Sequence, residues 1–250
     1  MSWINKKKFP FNPSSPQSLN SSTSHPFNLP SPTLLISSTP QLLNFSSLQP
    51  LNSSTLKSSP IRTAIFGGSF NPIHNGHIRL ARQVITEGHA DEVWLLVSPQ
   101  NPLKQHQSLQ PEAIRLELTR RALAAEPQLI ASDFEFTLPR PSYTWNTLCA
   151  LHEAYPDRQF SLLIGADNWA LFDRWAHPQD ILANFPLLVY PRPDYPLSPE
   201  ALPPSVHLIQ APLFPYSSTD VRQAVQSGAA ITEMVPECIR EEVMRVYEKE

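Results

Sequence analysis

Two stretches of this 250-residue chain combine residue types that could hold phosphate. The first is Gly67-Gly68-Ser69-Phe70-Asn71-Pro72-Ile73-His74-Asn75-Gly76-His77. Its leading glycines permit backbone angles closed to other residues, which lets main-chain N–H groups come close to an anion. Gly76 and His77 would open a helix, whose free N–H groups and dipole favour negative charge. His74 and His77 stand three apart, so on a helical turn both imidazoles can reach one site. Together these features make a cradle for a triphosphate. A Walker-type loop would carry a Lys-Ser or Lys-Thr pair after the second glycine, and none is present. A structural loop with two surface histidines is the plain alternative. A two-histidine metal site is another, although no third ligand stands at a sensible spacing.

The second stretch is Ser217-Ser218-Thr219-Asp220-Val221-Arg222. Ser217 or Ser218 can cap a following helix, and Asp220 near its first turn suits the dipole. Arg222 then lies one turn in, facing outward from the N-terminal end, where a guanidinium can grip phosphate oxygens with two parallel hydrogen bonds. Taken alone, this stretch reads as an ordinary capped helix with a solvated arginine.

The elements that must position these residues alternate. Strands are predicted over 62–66, 92–98, 129–136, 160–164, 186–190 and 206–210. Helices are predicted over 76–87, 111–125, 142–155, 217–226 and 236–249, with a proline-bearing polar loop over 99–110. Apolar strands alternating with helices indicate an α/β fold, a Rossmann-like parallel sheet with helices on both faces. Ligands of such sheets bind beyond the carboxyl ends of the strands, where strand order reverses. The first strand–helix junction, which carries the first motif, is therefore the place for chemistry.

Composition divides the chain. Residues 1–60 contain no Asp, Glu, Arg or Gly and are dominated by Ser, Pro, Asn, Leu and Thr. A segment with no apolar period buries too little surface to offset its ordering entropy, so 1–60 is expected to be a disordered low-complexity extension. A start assigned too early and an organellar transit peptide are the competing accounts. The former would need a non-AUG codon, since no methionine lies between Met1 and Met234. The latter suits the acid-free, Ser-rich composition but lacks arginine and an amphipathic helix. Only four of the 19 basic residues fall in 1–60, so 61–250 carries 15 against 22 acidic ones, a net charge of −7. That argues against nucleic acid as a partner. Cys149 and Cys238 are lone cysteines that suit a reducing, cytoplasmic compartment. No apolar run is long enough to span a bilayer, which argues against a membrane partner.

The first motif resembles the G-x-F-x-P-x-H-x-G-H signature of the nucleotidylyltransferase superfamily, whose members transfer AMP or CMP, and matches every fixed position. The second is similar to that superfamily's S-S-T-x-I/V-R element, whose hydroxyls and arginine bind the ATP β- and γ-phosphates. Tyr216 stands where the preceding residue is usually Ile. Within the superfamily, residues 61–250 look like one nucleotidylyltransferase domain of the bacterial nicotinate-nucleotide adenylyltransferases. Pro141-Ser142-Tyr143-Thr144 matches that family's P-S-Y-T and Gly165-Ala166-Asp167 its G-x-D. Asp173-Arg174-Trp175 resembles its tryptophan segment, Tyr190-Pro191-Arg192-Pro193 its turn after the fifth strand, and 97–104 a shortened form of its mobile loop, ending at Lys104.

The resemblance implies direct transfer of AMP from ATP to nicotinate mononucleotide, with Mg²⁺ bridging phosphate oxygens mostly through water and no dedicated metal ligands. It implies catalytic roles for His74, His77 and Arg222. It implies ATP contacts from Gly67, Gly68, Ser69, Phe70, Gly76, Lys104, Ser218 and Thr219. It implies mononucleotide contacts from Thr144, Asp167 and Trp175. Elementary chemistry agrees: Trp175 offers a stacking face worth ~1–3 kcal/mol to a flat ring. Asp167 can accept from ribose hydroxyls, and Thr144 sits at a helix N-terminus suited to a carboxylate. The bland alternatives are a core tryptophan, a capping aspartate and a cap neighbour. The amide mononucleotide, phosphopantetheine or a cytidylyl transfer remain rival reactions, and a non-catalytic nucleotide sensor a rival of another class. Association into a homo-oligomer is left open. Because 1–60 has no core-forming pattern, its deletion is expected to leave the thermal unfolding midpoint unchanged within about 2 °C. Differential scanning calorimetry of the full and shortened chains checks this.

Overall fold

The computed structural model describes residues 59–99 and 109–248. The expected extension therefore lies outside the described residues, apart from Ser59 and Pro60, and so does Lys104. Strands β1 (Ile61–Gly68), β2 (Glu92–Val97), β3 (Leu129–Ser132), β4 (Arg158–Gly165), β5 (Leu187–Tyr190) and β6 (Val206–Leu208) form one sheet in the order β3-β2-β1-β4-β5-β6. All the pairings are parallel. The order reverses between β1 and β4, as in doubly wound sheets.

Alternate residues of the central strands face opposite layers. Ala64, Phe66, Val93, Leu95 and Leu163 pack into a core shared with α1 (Asn75–Thr86), α2 (Glu112–Ala122), α6 (Ser218–Gln226) and α7 (Glu237–Tyr247). Ile65, Trp94, Leu96, Leu162 and Ile164 pack into a second core with α3 (Thr144–Ala154) and α5 (Pro178–Asn184). Both faces are thus covered, which is why these strands read as near-continuous apolar runs. Among the described residues, no helix is long and apolar enough to cross a membrane.

The differences from the sequence reading have local causes. The third strand stops at Ser132, and a 3-10 turn over Phe134–Thr137 replaces its predicted end. The alternating Phe134-Glu135-Phe136 mimics a strand, but the carboxylate of Glu135 is drawn into hydrogen bonds with Thr147 and Ser142. That second contact also removes Ser142 as a cap, so α3 begins two residues late, at Thr144. The first and fourth strands run longer than predicted because their glycine ends, Gly67-Gly68 and Gly165, stay in register with β2 and β5. A short helix α4 (Ala166–Trp169) and a 3-10 turn (Phe172–Arg174) fill a segment given no elements from sequence.

At the N-terminal end of the strands, Glu92 Oε1 accepts from Thr63 Oγ1 (2.8 Å), Trp94 Nε1 (2.9 Å) and Arg158 Nε (3.0 Å). One carboxylate oxygen thereby joins β1, β2 and β4. Glu92→Ala leaves the donors of buried Thr63 and Trp94 and of half-buried Arg158 without this acceptor and is expected to lower stability by about 2–4 kcal/mol, the cost of unmade hydrogen bonds to a charge. Urea unfolding with an unchanged m-value measures it.

Candidate active site

Past the pairs Ile65–Leu162, β1 keeps only β2 and β4 keeps only β5. The divergence opens a crevice at the carboxyl ends of the two central strands. It is lined by Phe66, Gly67, Gly68 and Ser69 on one wall, by Leu163, Ile164 and Gly165 on the other, and by Ser142, Thr144, Asn168, Arg174 and Trp175 above. Five of the residues singled out from sequence, Gly67, Gly68, Ser69, Thr144 and Trp175, therefore share one cavity.

The glycines serve differently from expectation. Gly67 and Gly68 are extended ladder residues, and the left-handed angle falls instead on Phe70, at φ +43°. A Cβ on Gly67 would meet nothing within 4 Å, so its absence leaves open space in the cavity wall. A Cβ on Gly68 would sit 3.1 Å from the Phe70 ring. Phe70 itself packs edge-on against Phe66 and His77 at 5.7 and 5.0 Å. Gly165 is tighter still, since a Cβ there would fall 2.2 Å from Asp167 Oδ1.

The first N–H groups of α1 are not available to an anion, contrary to the sequence reading. Asn75 N–H donates to Met234 O, Gly76 N–H to His74 Nδ1, and His77 N–H to His74 O. Gly76 instead makes room for the His74 ring, which a Cβ would meet at 2.9 Å. The two imidazoles are fixed by the same main-chain groups. His74 and His77 stack at 3.7 Å, and each Nδ1 accepts a main-chain N–H, from Gly76 (3.1 Å) and His74 (3.2 Å). With Nδ1 accepting, the neutral ring carries its proton on Nε2, so both present Nε2–H donors. Burial, aided by Arg192, lowers the His74 pKa to about 4. Burial, the adjacent His74 and Arg192 hold His77 well below its ordinary value.

The second motif closes on the first. Ser217 caps α6 through a capping box with Asp220. Arg222 does not face outward: its Nη1 donates to Asn71 O (2.7 Å) and its Nη2 to Thr219 Oγ1 (3.2 Å). Ser218 Oγ donates to Pro72 O (2.9 Å). Tyr216 packs edge-on against His74 at 5.8 Å and donates to Glu233 O.

On the opposite wall, α3 has no side-chain cap, which leaves its first-turn N–H groups beside the cavity at Thr144. Trp175 follows the 3-10 turn that buried Phe172 anchors, and it both packs on the second core and lines the cavity. Its indole Nε1 is buried and has no hydrogen-bond partner among the described residues. Asp167 makes no cap hydrogen bond to α4; its Oδ1 lies 3.5 Å from Arg192 Nε and has no hydrogen bond among the described residues. Several cavity residues escaped the sequence reading. Glu135 is one, a buried carboxyl whose pKa burial raises against hydrogen bonds from Ser98, Thr147 and Ser142. Arg192, of the turn already noted after the fifth strand, is held over the ring of the cavity residue Tyr190 at 4.9 Å and donates to its hydroxyl.

The sequence profile of the cytidylyltransferase-like family matches residues 65–224. A Bacteroides thetaiotaomicron protein named as a nicotinate-nucleotide adenylyltransferase is 49% identical over 169 residues, covering 68% of this chain and 84% of its own. The chain belongs to that family. A Bacteroides fragilis relative of the same name is 47% identical over 170 residues, covering 68% and 85%. The fold matches Plasmodium falciparum nicotinic acid mononucleotide adenylyltransferase complexed with NaAD, with a TM-score of 0.63 at 16% identity over 76% of this chain and 98% of that one. The chain is thus a nucleotidyltransferase enzyme.

Because the ligand-free imidazoles are held neutral, the Cε1–H resonance of His74 should stay at its neutral position from pH 8 to pH 5 and move only near pH 4, as NMR titration would show. The linkage has a definite sign. A histidine pKa depressed by folding means that the unfolded chain binds the proton first. The associated stability is complete above pH 6.5 and is lost as pH falls toward about 4.

Proposed function

We propose that the chain transfers AMP from ATP to nicotinate mononucleotide, forming nicotinate adenine dinucleotide and pyrophosphate. The observation that carries this reading is the single crevice in which an open glycine wall faces a flat tryptophan, with two imidazoles locked as Nε2–H donors packed on Phe66 and Phe70 at that wall. The acceptor's 5′-phosphate oxygen attacks the α-phosphorus in line, the bond to the bridging oxygen breaks, and pyrophosphate leaves with the electron pair. No protein nucleophile is needed, so positioning and charge stabilisation supply the catalysis.

Each residue then has a task. The space beside Gly67 admits the phosphates, with the Ser69 and Phe70 main chain and Gly68 beneath them. His74 and His77 donate to oxygens that gain charge. Arg222 uses two of its five N–H groups internally, which leaves three for the leaving pyrophosphate, alongside Ser218 and Thr219. Gly76 acts through the His74 ring that it admits. Lys104 would add a cation over the phosphates. Trp175 stacks on the pyridine ring, Asp167 accepts from ribose hydroxyls, and the uncapped α3 terminus at Thr144, with Arg174 nearby, favours a carboxylate over a neutral amide. Magnesium, when bound, would neutralise phosphate oxygens. Such an ion would be carried mostly by the ATP phosphates and water. The unpaired thiols of Cys149 and Cys238 accord with a cytoplasmic enzyme.

A pyrophosphate-release assay with both mononucleotides tests the reading. The acid should give the higher kcat/KM, and equal or reversed values overturn the acceptor assignment. Two variants should fail differently. His77→Ala is expected to lower kcat roughly 10²-fold with little change in acceptor KM. Trp175→Ala is expected to raise the acceptor KM while leaving ATP binding nearly intact.

A further inference from the structure

Arg115 is the largest fully buried side chain of the described residues, 1% exposed, although it bears a charge. Its partners are all main-chain carbonyls. Nη1 donates to Ser69 O (2.5 Å) and Ser98 O (2.9 Å), Nη2 to Pro99 O (3.0 Å), and Nε to Gln110 O (2.8 Å). Among the described residues, no carboxylate forms an ion pair with it. Burying a cation with no carboxylate beside it is expensive even when its donors are matched. The cost calls for a role beyond packing.

The Ser69 contact points to one. The Ser69–Phe70 peptide is not among the cis bonds, so its C=O and N–H point in opposite directions. With the carbonyl held by the guanidinium, the Phe70 N–H is turned away from Arg115 and polarised by the charge behind it. Phe70 is 2% exposed and left-handed, yet among the described residues nothing accepts from its N–H. A main-chain donor kept unpaired at a buried residue implies an acceptor that arrives with a ligand.

We propose that Arg115 is a positioning residue for the ATP phosphates: it fixes and polarises the Ser69–Phe70 peptide so that the Phe70 N–H is presented to a phosphate oxygen. This rests on the adenylyl-transfer reading for the identity of the anion. The same guanidinium ties that peptide to Ser98 and Pro99 after β2 and to Gln110 before α2. Lysine preserves the charge but, with one nitrogen, cannot span four carbonyls.

The test compares Arg115→Lys and Arg115→Met with the wild type. ATP binding is measured by calorimetry without acceptor, and turnover is measured separately. Both variants, if folded by circular dichroism, should bind ATP at least tenfold more weakly, with less than a twofold change in acceptor KM. A lowered melting temperature with wild-type ATP affinity would make Arg115 merely structural and overturn the proposal. If neither variant folds, ¹⁵N-labelled wild-type protein decides: the Phe70 amide should shift on addition of ATP and be protected from exchange, and an unmoved resonance overturns the inference. In the wild type, absent turnover with nicotinate mononucleotide alongside ATP binding would instead fault the acceptor assignment and leave the Arg115 comparison to decide the proposal.

Discussion

The carbonyl groups between Ser69 and Pro72 leave the sheet with no ladder to receive them, and a buried turn cannot leave them unpaired. Each described partner comes from a distant part of the chain. Arg115 of α2 takes Ser69, Arg222 of α6 takes Asn71, and Ser218 takes Pro72. The Asn71 side chain in turn accepts from Tyr247 of α7 and from the main chain of Gln110. One short turn thereby gathers three helices that meet nowhere in sequence, and the loop acquires its shape from them. The two motifs are parts of a single hydrogen-bonded unit rather than two independent grips.

That arrangement explains the electrostatics of the crevice. The α1 terminus spends its early N–H groups on Met234 and His74, so its dipole is screened from a ligand, while the two imidazoles are locked and neutral. Neutral donors suit a site where negative charge moves during the reaction, because they stabilise it without requiring a proton to leave or arrive. Fixed positive charge is supplied behind and beside them, by Arg115 beneath the loop and by Arg192 near the histidine pair. These groups are held before any ligand binds, which is the physical content of preorganisation.

The fold and the first wall of the crevice were legible because they depend on local pattern. Apolar runs broken by glycine marked β1 and β4, and Ser217 to Arg222 marked a capped helix start, as found. Illegible features depended on partners far away in sequence. Glu135 looks like the polar face of a strand until Thr147 and Ser142 are brought to it. Arg115 looks like one solvated residue in a charged helix until four carbonyls converge on it. Arg222 looks free until Asn71, 151 positions away, turns its carbonyl toward it.

The sequence by itself determined the alternation of strands and helices, the junction at which strand order reverses, and the residue types gathered there. Those follow from hydrophobic period, glycine placement and capping, which act over a few residues. Only the tertiary structure decided what each group does at that junction. It placed the left-handed angle on Phe70 rather than on Gly67 or Gly68, engaged the helix-terminal N–H groups with Met234 and His74, and buried Arg115 with no carboxylate partner among the described residues. These outcomes are settled by which donors and acceptors remain unpaired once the sheet and helices have closed, and that accounting exists only in three dimensions.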